Sequence, residues 1–191
     1  MAKLILASAS PRRREILALS GLPFVVRAGS GKEEIHETEP AEIVKELSSG
    51  KAEEALLTAE AGDIIIGADT VVAFEGRVMG KPKDEAEAFS MLKELQGRTH
   101  QVYTGITVIR KGSGERDTFA EKTTVRVLPM SDEEIWEYVE TKEPMDKAGA
   151  YGIQGRFALY VEGIEGDYQN VVGLPLARLY GCLKKYREEL T

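Results

Sequence analysis

The sequence predicts an α/β fold in which helices flank a mixed β-sheet. Three observations support this fold class. The first third of the chain alternates strand-like and helical stretches in the order βαβαβ. The stretch "DIIIGADTVVAF" contains a continuous β-branched run, which is typical of a strand buried on both faces. Two long β segments follow around the turn-rich "KGSGE", so we expect them to pair antiparallel and to make the sheet mixed.

The first three elements have clear boundary signals. Leu4–Ala7 is a short apolar strand. Ser10 and Pro11 form a strong helix start, with serine as the N-cap and proline at the first helical position. Gly21 ends this helix. Phe24–Arg27 is the second strand.

A polar loop, Gly29–Glu39, precedes the second helix and the buried strand. We expect the helix to run from Pro40 to Ala59, with the "SSG" in its middle as a kink or a break. The buried strand follows with Ile64–Ile66. "FEGRV" then predicts a hairpin turn at its Glu-Gly pair.

Similar local rules predict the rest of the chain. "KDEAEAFSMLKELQG" is an amphipathic helix with acids in its first turn and a glycine stop. "SDEEIWEYVETKE" begins with a capping box. The other expected elements are the β segments Thr99–Arg110 and Asp117–Val127, the glycine-punctuated loop "DKAGAYGIQG", a strand Phe157–Val161 and a final helix Leu174–Arg187.

Length and composition indicate one globular domain over residues 1–191, with a substantial core. The formal net charge of −7 argues against non-specific nucleic-acid binding, which requires a basic surface. The single cysteine, Cys182, excludes an internal disulfide and favours a reducing compartment, the cytoplasm. We find neither a signal peptide nor an apolar run of the roughly 20 residues that span a bilayer, so we expect no membrane association.

Two familiar site classes do not fit. The P-loop pattern G-x-x-x-x-G-K-[ST] fails at Gly31-Lys32 and at Gly80-Lys81. The two histidines, His36 and His100, are far apart and lack metal-ligand spacing, which argues against a zinc site.

The first helix carries arginines where a helix normally carries acids. Arg12 and Arg13 lie in the first turn, after the N-cap serine and Pro11, and so oppose the helix dipole. One interpretation is that they are solvated and tolerated. The other is that an anion binds here, held by backbone N–H groups, the hydroxyls of Ser8 and Ser10, and two guanidinium groups. The second interpretation predicts a phosphate site.

Other polar residues add to this inventory. Asp69 and Thr70 directly follow the buried run, where α/β proteins place catalytic or metal-binding groups, although a turn-forming aspartate would also explain them. Further candidates, each compatible with an ordinary surface role, are Glu33, Glu34, Lys51, Lys81, Asp146, Lys147 and Gln154. Basic groups for phosphates, acids for a divalent cation and an amide for a base edge together fit hydrolysis of a nucleoside triphosphate.

Five motifs in order resemble one family. "LASASPRR", "IIIGADTVV", "GKP", "DKAGAYGIQG" and "VVGLPL" are similar to motifs of the Maf family of nucleotide pyrophosphatases, also called septum-formation inhibitors. The resemblance covers nearly the whole chain. It implies a fold like that of the inosine-triphosphate pyrophosphatases, with two lobes around a deep cleft. It also implies cleavage of a nucleoside triphosphate to monophosphate and pyrophosphate with a divalent cation, Mg²⁺ or Mn²⁺.

The resemblance also assigns residue roles. Asp69 matches the proton acceptor, and Glu34 matches the acidic residue of the loop before the second helix. "GSGKEE" departs from the family's acidic pattern and leaves Glu33 as a rival. Asp69 and Glu34 are the expected metal ligands, and whether Asp69 is base or ligand stays open. Ser8, Arg12 and Arg13 match the first phosphate-binding motif, and Lys51 matches the lysine of the family's "KA" pair. Lys81 matches the lysine of "GKP" and is, with Asp69 and Glu34, an expected catalytic residue. The arginines, Lys51 and Lys81 are expected to neutralise the triphosphate.

Base preference divides the family. Arg12, Thr70 and Gln154 match the branch that resembles dTTP/UTP pyrophosphatases, rather than the branch acting on 7-methyl-GTP. The alternatives are that second branch and a non-enzymatic, nucleotide-binding regulator of cell division, as the older family name suggests. The expected partner is the nucleoside triphosphate. A homodimer is compatible with the sequence.

Overall fold

The structure is a computed structural model that describes residues 2–29 and 35–190. The strands are β1 (Leu4–Ala7), β2 (Phe24–Val26), β3 (Ile64–Phe74), β4 (Arg77–Met79), β5 (Thr99–Arg110), β6 (Arg116–Val127) and β7 (Val161–Glu165). The α-helices are α1 (Pro11–Ala18), α2 (Pro40–Leu56), α3 (Glu85–Leu95), α4 (Asp132–Glu140), α5 (Tyr168–Val172), α6 (Leu176–Leu183) and α7 (Arg187–Leu190).

The strands of the described ranges form one seven-stranded sheet. Its order is β2-β1-β3-β5-β6-β7, with β4 paired to β3. β1 runs parallel to β2 and β3, whereas β3–β4 and β6–β7 are antiparallel pairs. The predicted α/β class with a mixed sheet and flanking helices is therefore confirmed. The cleft that the family resemblance implies stays a prediction.

The described residues divide into two compact units. The first takes its residues from Met1–Asp69, Thr104–Glu121 and Gly173–Thr191. The second consists of Thr70–Tyr103 and Lys122–Val172. Among the described residues, no helix combines the length and the apolar character that crossing a membrane requires.

In the first unit, α2 lies in close contact with the sheet because two strands present glycines to it. A Cβ atom on Gly67 of β3 would lie 2.0 Å from the carbonyl oxygen of Ser48. A Cβ atom on Gly105 of β5 would lie 1.9 Å from the carbonyl oxygen of Val44. The hydroxyls of Ser48 and Thr107 also hydrogen-bond at 2.9 Å. Side chains at these two glycine positions would push the helix away from the sheet.

In the second unit, an aromatic cluster of Tyr138, Tyr151 and Phe157 packs against α4, which contains Tyr138. The ring centroid of Phe157 lies 5.2 Å from that of Tyr138 and 4.6 Å from that of Tyr151. All three side chains are buried. The β3–β4 hairpin also lies in this unit, and its turn residues Glu75 and Gly76 both have positive φ, as the predicted tight turn requires.

Several predicted elements differ from the structure. α2 passes through "SSG" without a break, because the Ser48 hydroxyl bonds the carbonyl of Lys45 and a strand hydroxyl rather than disrupting the helix. The expected strand Phe157–Val161 is a 3-10 helix, Arg156–Tyr160, which directs the Phe157 ring into the aromatic cluster. The predicted helix Leu174–Arg187 begins at Leu176, because the residue before a proline disfavours helical backbone. It is divided into α6, a 3-10 turn at Lys184–Tyr186 and α7.

The buried strand is longer than predicted, and this changes the setting of Asp69 and Thr70. They lie inside β3 and not after its end. β3 pairs with β1 as far as Gly67 and with β4 from Val72 onward. Asp69 and Thr70 lie between the residues of β3 that pair with β1 and those that pair with β4. A hairpin partner therefore extends the strand beyond the point where its β-branched run stops.

Candidate active site

The predicted anion site lies at the start of α1, in the first unit. The Ser10 hydroxyl accepts a hydrogen bond from the backbone N–H of Arg13 at 3.5 Å, and Pro11 begins the helix, as predicted. The Ser8 hydroxyl accepts from the backbone N–H of Ser10 at 3.3 Å. The first turn contains no acidic residue. This helix start therefore presents positive charge and backbone donors together.

Arg13 is held in one orientation by two groups. Its Nη1 donates to the Ser8 hydroxyl at 3.2 Å, and its Nε donates to the carbonyl oxygen of Gly173 at 2.9 Å. Ser8 is buried, and Arg13 is half-buried. Arg12 is also half-buried, whereas Arg14 is exposed. A guanidinium group oriented in advance loses little conformational entropy when it binds an anion.

Lys51 and Asp69 form an ion pair within the same unit. The ammonium group of Lys51, on α2, donates to Oδ1 of Asp69, on β3. The exposed fractions of the two side chains are only 25% and 14%. The contact depends on the close approach of α2 to β3, which Gly67 makes sterically possible. Packing thus brings a predicted phosphate ligand to the predicted general base.

The other predicted residues of the described chain lie in the second unit. Thr70 is half-buried on β3, Lys81 is exposed just after β4, and Gln154 is exposed in a turn. The segment before Lys81 is joined to the "DKAGAYG" loop, because the carbonyl of Gly80 accepts from the N–H of Gly149 at 3.0 Å. Two of the sequence motifs therefore meet within this unit.

Glu34 and its rival Glu33 lie outside the described residues. Within the described ranges, no group of three or more His, Cys, Asp or Glu side chains would hold a metal ion. In phosphoryl-transfer sites, Mg²⁺ is usually bound by one or two carboxylates together with substrate phosphates, and not by a protein cage. Oδ1 of Asp69 accepts a hydrogen bond from Lys51. The carboxylate of Asp69 also supplies an oxygen ligand of the kind that Mg²⁺ and Mn²⁺ prefer.

Sequence reasoning missed the residues that orient the site. Gly173 binds Arg13 through its carbonyl, and Gly67 admits α2 to the sheet. "VVGLPL" contains Gly173, so a motif that had no assigned role does carry a signal for it. The signal for Gly67 was weaker, a glycine inside a β-branched run, which indicates close approach of another backbone.

Comparisons with known proteins show which family the chain resembles over nearly its whole length. A family model described as "Maf-like protein" matches residues 3–186. A protein of Agathobacter rectalis named dTTP/UTP pyrophosphatase is 50% identical over 200 residues, covering 97% of this chain and 98% of the relative. A protein of Lachnoclostridium phytofermentans with the same name is 50% identical, covering 100% and 98%.

A third relative with this name, from Bacillus cereus, is 46% identical over 192 residues, which cover 100% of this chain and 99% of the relative. A crystal structure of a nucleoside-triphosphatase, a dITP/XTP pyrophosphatase from Mycobacterium abscessus, aligns with 67% of this chain and 75% of its own. Its TM-score is 0.39 and its identity 16%.

Proposed function

The chain belongs to the Maf-like protein family, and on that premise we propose that it is a nucleoside triphosphate pyrophosphatase that hydrolyses dTTP and UTP. The relatives that carry this activity in their names match it over nearly their full length. The observation that supports the proposal best is the oriented Arg13 guanidinium at the start of α1, in the same unit as the Lys51–Asp69 ion pair. One group would bind phosphate, and the other would activate water.

In the proposed reaction, water attacks the α-phosphorus and the bond to the α–β bridging oxygen breaks. The products are the nucleoside monophosphate and pyrophosphate. Asp69 accepts the proton of the attacking water, as a general base. Lys51 holds Oδ1 of this carboxylate and thereby orients Oδ2. Ser8, Arg12 and Arg13 bind the triphosphate, so most of the rate enhancement comes from positioning and charge stabilisation.

A divalent cation fits this proposal. When bound, it would neutralise charge on the phosphate oxygens. Glu34 is the proposed protein ligand, and Asp69 is the alternative ligand in place of its role as base. We assign Lys81 to phosphate neutralisation, and Thr70 and Gln154 to recognition of the base, because these residues match the family motifs.

The test is pyrophosphate release from dTTP, UTP, CTP and 7-methyl-GTP, with Mg²⁺, with Mn²⁺ and with neither. Release from dTTP and UTP that depends on the cation is expected. Preference for 7-methyl-GTP would assign the chain to the other branch. No release from any substrate would favour the non-enzymatic regulator and overturn the proposal.

A further inference from the structure

A tight turn in the second unit presents Gln154 to solvent. The N–H of Gly155 donates to the carbonyl of Gly152 at 3.1 Å, which closes the turn around Ile153 and Gln154. Ile153 is buried and Gln154 is exposed. Within the described part of the chain, no hydrogen bond engages the Gln154 carboxamide. The turn therefore has one side chain in the core and one amide available to a ligand.

Both ends of this turn are tied to one pair of side chains. The N–H of Gly152 donates to Oη of Tyr138 at 3.1 Å. The N–H of Arg156, just beyond the turn, donates to Oε2 of Glu143 at 3.0 Å. The hydroxyl of Tyr138 donates to Oε1 of Glu143 at 2.8 Å, which joins the two anchors. We call Glu143 and Tyr138 the turn clamp.

The glycines of the turn make room for this clamp. A Cβ atom on Gly155 would lie 2.0 Å from Oε1 of Glu143, so the carboxylate rests directly against the backbone. A Cβ atom on Gly152 would lie 2.6 Å from Cε of Lys147. Lys147 in turn donates to the backbone carbonyl of Glu143 at 2.6 Å. The glycine spacing of "YGIQG" thus matches the side chains that pack on it.

The clamp rests on rigid parts of the second unit. Tyr138 lies in α4, whose start is fixed by the capping box of Ser131 and Glu134, and its ring packs on Phe157. Burial raises the pKa of Tyr138, so the hydroxyl stays protonated and donates to the carboxylate. A carboxylate that accepts two hydrogen bonds and lies against backbone atoms has little freedom to move.

We propose that Glu143 and Tyr138 are positioning residues that hold the turn so that the Gln154 carboxamide reads the nucleobase. This inference rests on the proposed function. A carboxamide offers one acceptor and one donor edge, and the N3–H and O4 of uracil or thymine present the complementary pair. Cytosine presents the reverse pattern, which a reoriented amide would satisfy equally well. Discrimination therefore requires that the amide be held in place before the base arrives.

The experiment compares Glu143→Gln, Tyr138→Phe and Gln154→Ala with the wild-type protein, using UTP and CTP. Glu143→Gln keeps the size of the side chain, and Tyr138→Phe keeps the ring. All three substitutions are expected to raise KM for UTP about tenfold with little change in kcat, and to lower the preference for UTP over CTP. The matched control is Glu140→Gln, the same change at an exposed residue of α4, which should leave both parameters unchanged.

A double-mutant cycle separates positioning from general stability. If the clamp acts through Gln154, Glu143→Gln combined with Gln154→Ala should be no worse than Gln154→Ala alone. Additive losses, or equal losses of kcat for both substrates, would overturn the inference. Amide hydrogen exchange provides a readout without substrate. The N–H groups of Gly152 and Arg156 should lose protection in Glu143→Gln and keep it in Glu140→Gln.

Calorimetric binding of a non-hydrolysable UTP analogue distinguishes failure of this inference from failure of the proposed function. If the wild-type protein binds the analogue but releases no pyrophosphate from UTP, the proposed hydrolysis is refuted. The turn clamp is then tested by the affinities of the same variants for the analogue. Unchanged affinity in Glu143→Gln, or no binding by the wild-type protein, overturns the inference.

Discussion

Nε of Arg13 donates a hydrogen bond to the carbonyl oxygen of Gly173 at 2.9 Å, across 160 residues of sequence. A second nitrogen of the same guanidinium group binds the Ser8 hydroxyl. An arginine at a helix N-terminus opposes the helix dipole, and these two contacts hold it there before any anion binds. We therefore expect Arg13 to contribute directly to triphosphate affinity.

Arg13→Ala should raise KM for UTP by about 10- to 100-fold, because a charge-assisted hydrogen bond to phosphate is lost. The measurement is steady-state kinetics with the cation at saturation. Arg14→Ala is the matched control, since Arg14 lies in the same helical turn and is exposed. An equal loss in the two variants would indicate a general charge effect and contradict a specific site.

Gly173→Ala should produce a milder form of the same defect. Gly173 has φ of +130°, which an alanine adopts only with strain, so the substitution should shift the carbonyl that orients Arg13. We expect a raised KM with a folded protein, as shown by an unchanged circular dichroism spectrum. A wild-type KM in this variant would show that the carbonyl does not orient the arginine.

Asp69→Asn should lower kcat by about 10²- to 10⁴-fold and leave nucleotide binding intact, because the general base is lost while the phosphate ligands remain. Turnover and calorimetric affinity measure the two effects separately. Asp117→Asn is a suitable control, since Asp117 also pairs with a lysine, Lys185, but is more exposed than Asp69. Near-normal turnover by Asp69→Asn would eliminate this residue as the base.

Two glycines, Gly67 facing α2 and Gly50 exposed within α2, should respond to alanine in opposite directions. Gly67→Ala should lower the free energy of unfolding by about 1–3 kcal/mol, because its Cβ atom would meet the α2 backbone. Gly50→Ala should raise it by about 0.5–1 kcal/mol, because Gly50 lies within α2 with open space around it. Denaturant unfolding measures both values. A neutral Gly67→Ala would contradict the close packing.

Buried His100 should make the protein sensitive to acid. Its Nε2 lies 2.7 Å from Oη of Tyr151, and burial lowers its pKa from the usual 6.5 to about 4. Between these two pKa values the unfolded chain binds more protons than the folded protein. The contribution of His100 to the free energy of unfolding is therefore fully present above pH 6.5 and is lost as the pH drops toward 4. The expected loss from this group is about 3 kcal/mol.

Unfolding midpoints measured across this pH range would test the histidine. His100→Gln removes the titrating group and should flatten the pH dependence, whereas His36→Gln, at the exposed histidine, should leave most of it. If His100→Gln follows the wild-type profile, the acid sensitivity comes from other groups.

Local signals predicted the parts of the fold that depend on neighbouring residues in the chain. The Ser10 cap, the turn at Glu75 and the capping box at Ser131 all formed as expected. Predictions were wrong where distant residues decide the backbone. β3 extends beyond Asp69 because β4 pairs with its second half, and Phe157 enters a 3-10 helix because its ring packs in an aromatic cluster.

By itself, the sequence determined most of the element order, the helix caps, the turns and the identity of the charged candidate residues, because periodicity and capping act over a few residues. Only the tertiary structure decided which of these residues meet. Arg13 reaches Gly173, and Lys51 reaches Asp69, because the chain packs α1 and α2 at particular positions on the sheet. Such contacts depend on steric fit between distant backbones, as at Gly67, and no local pattern specifies that fit.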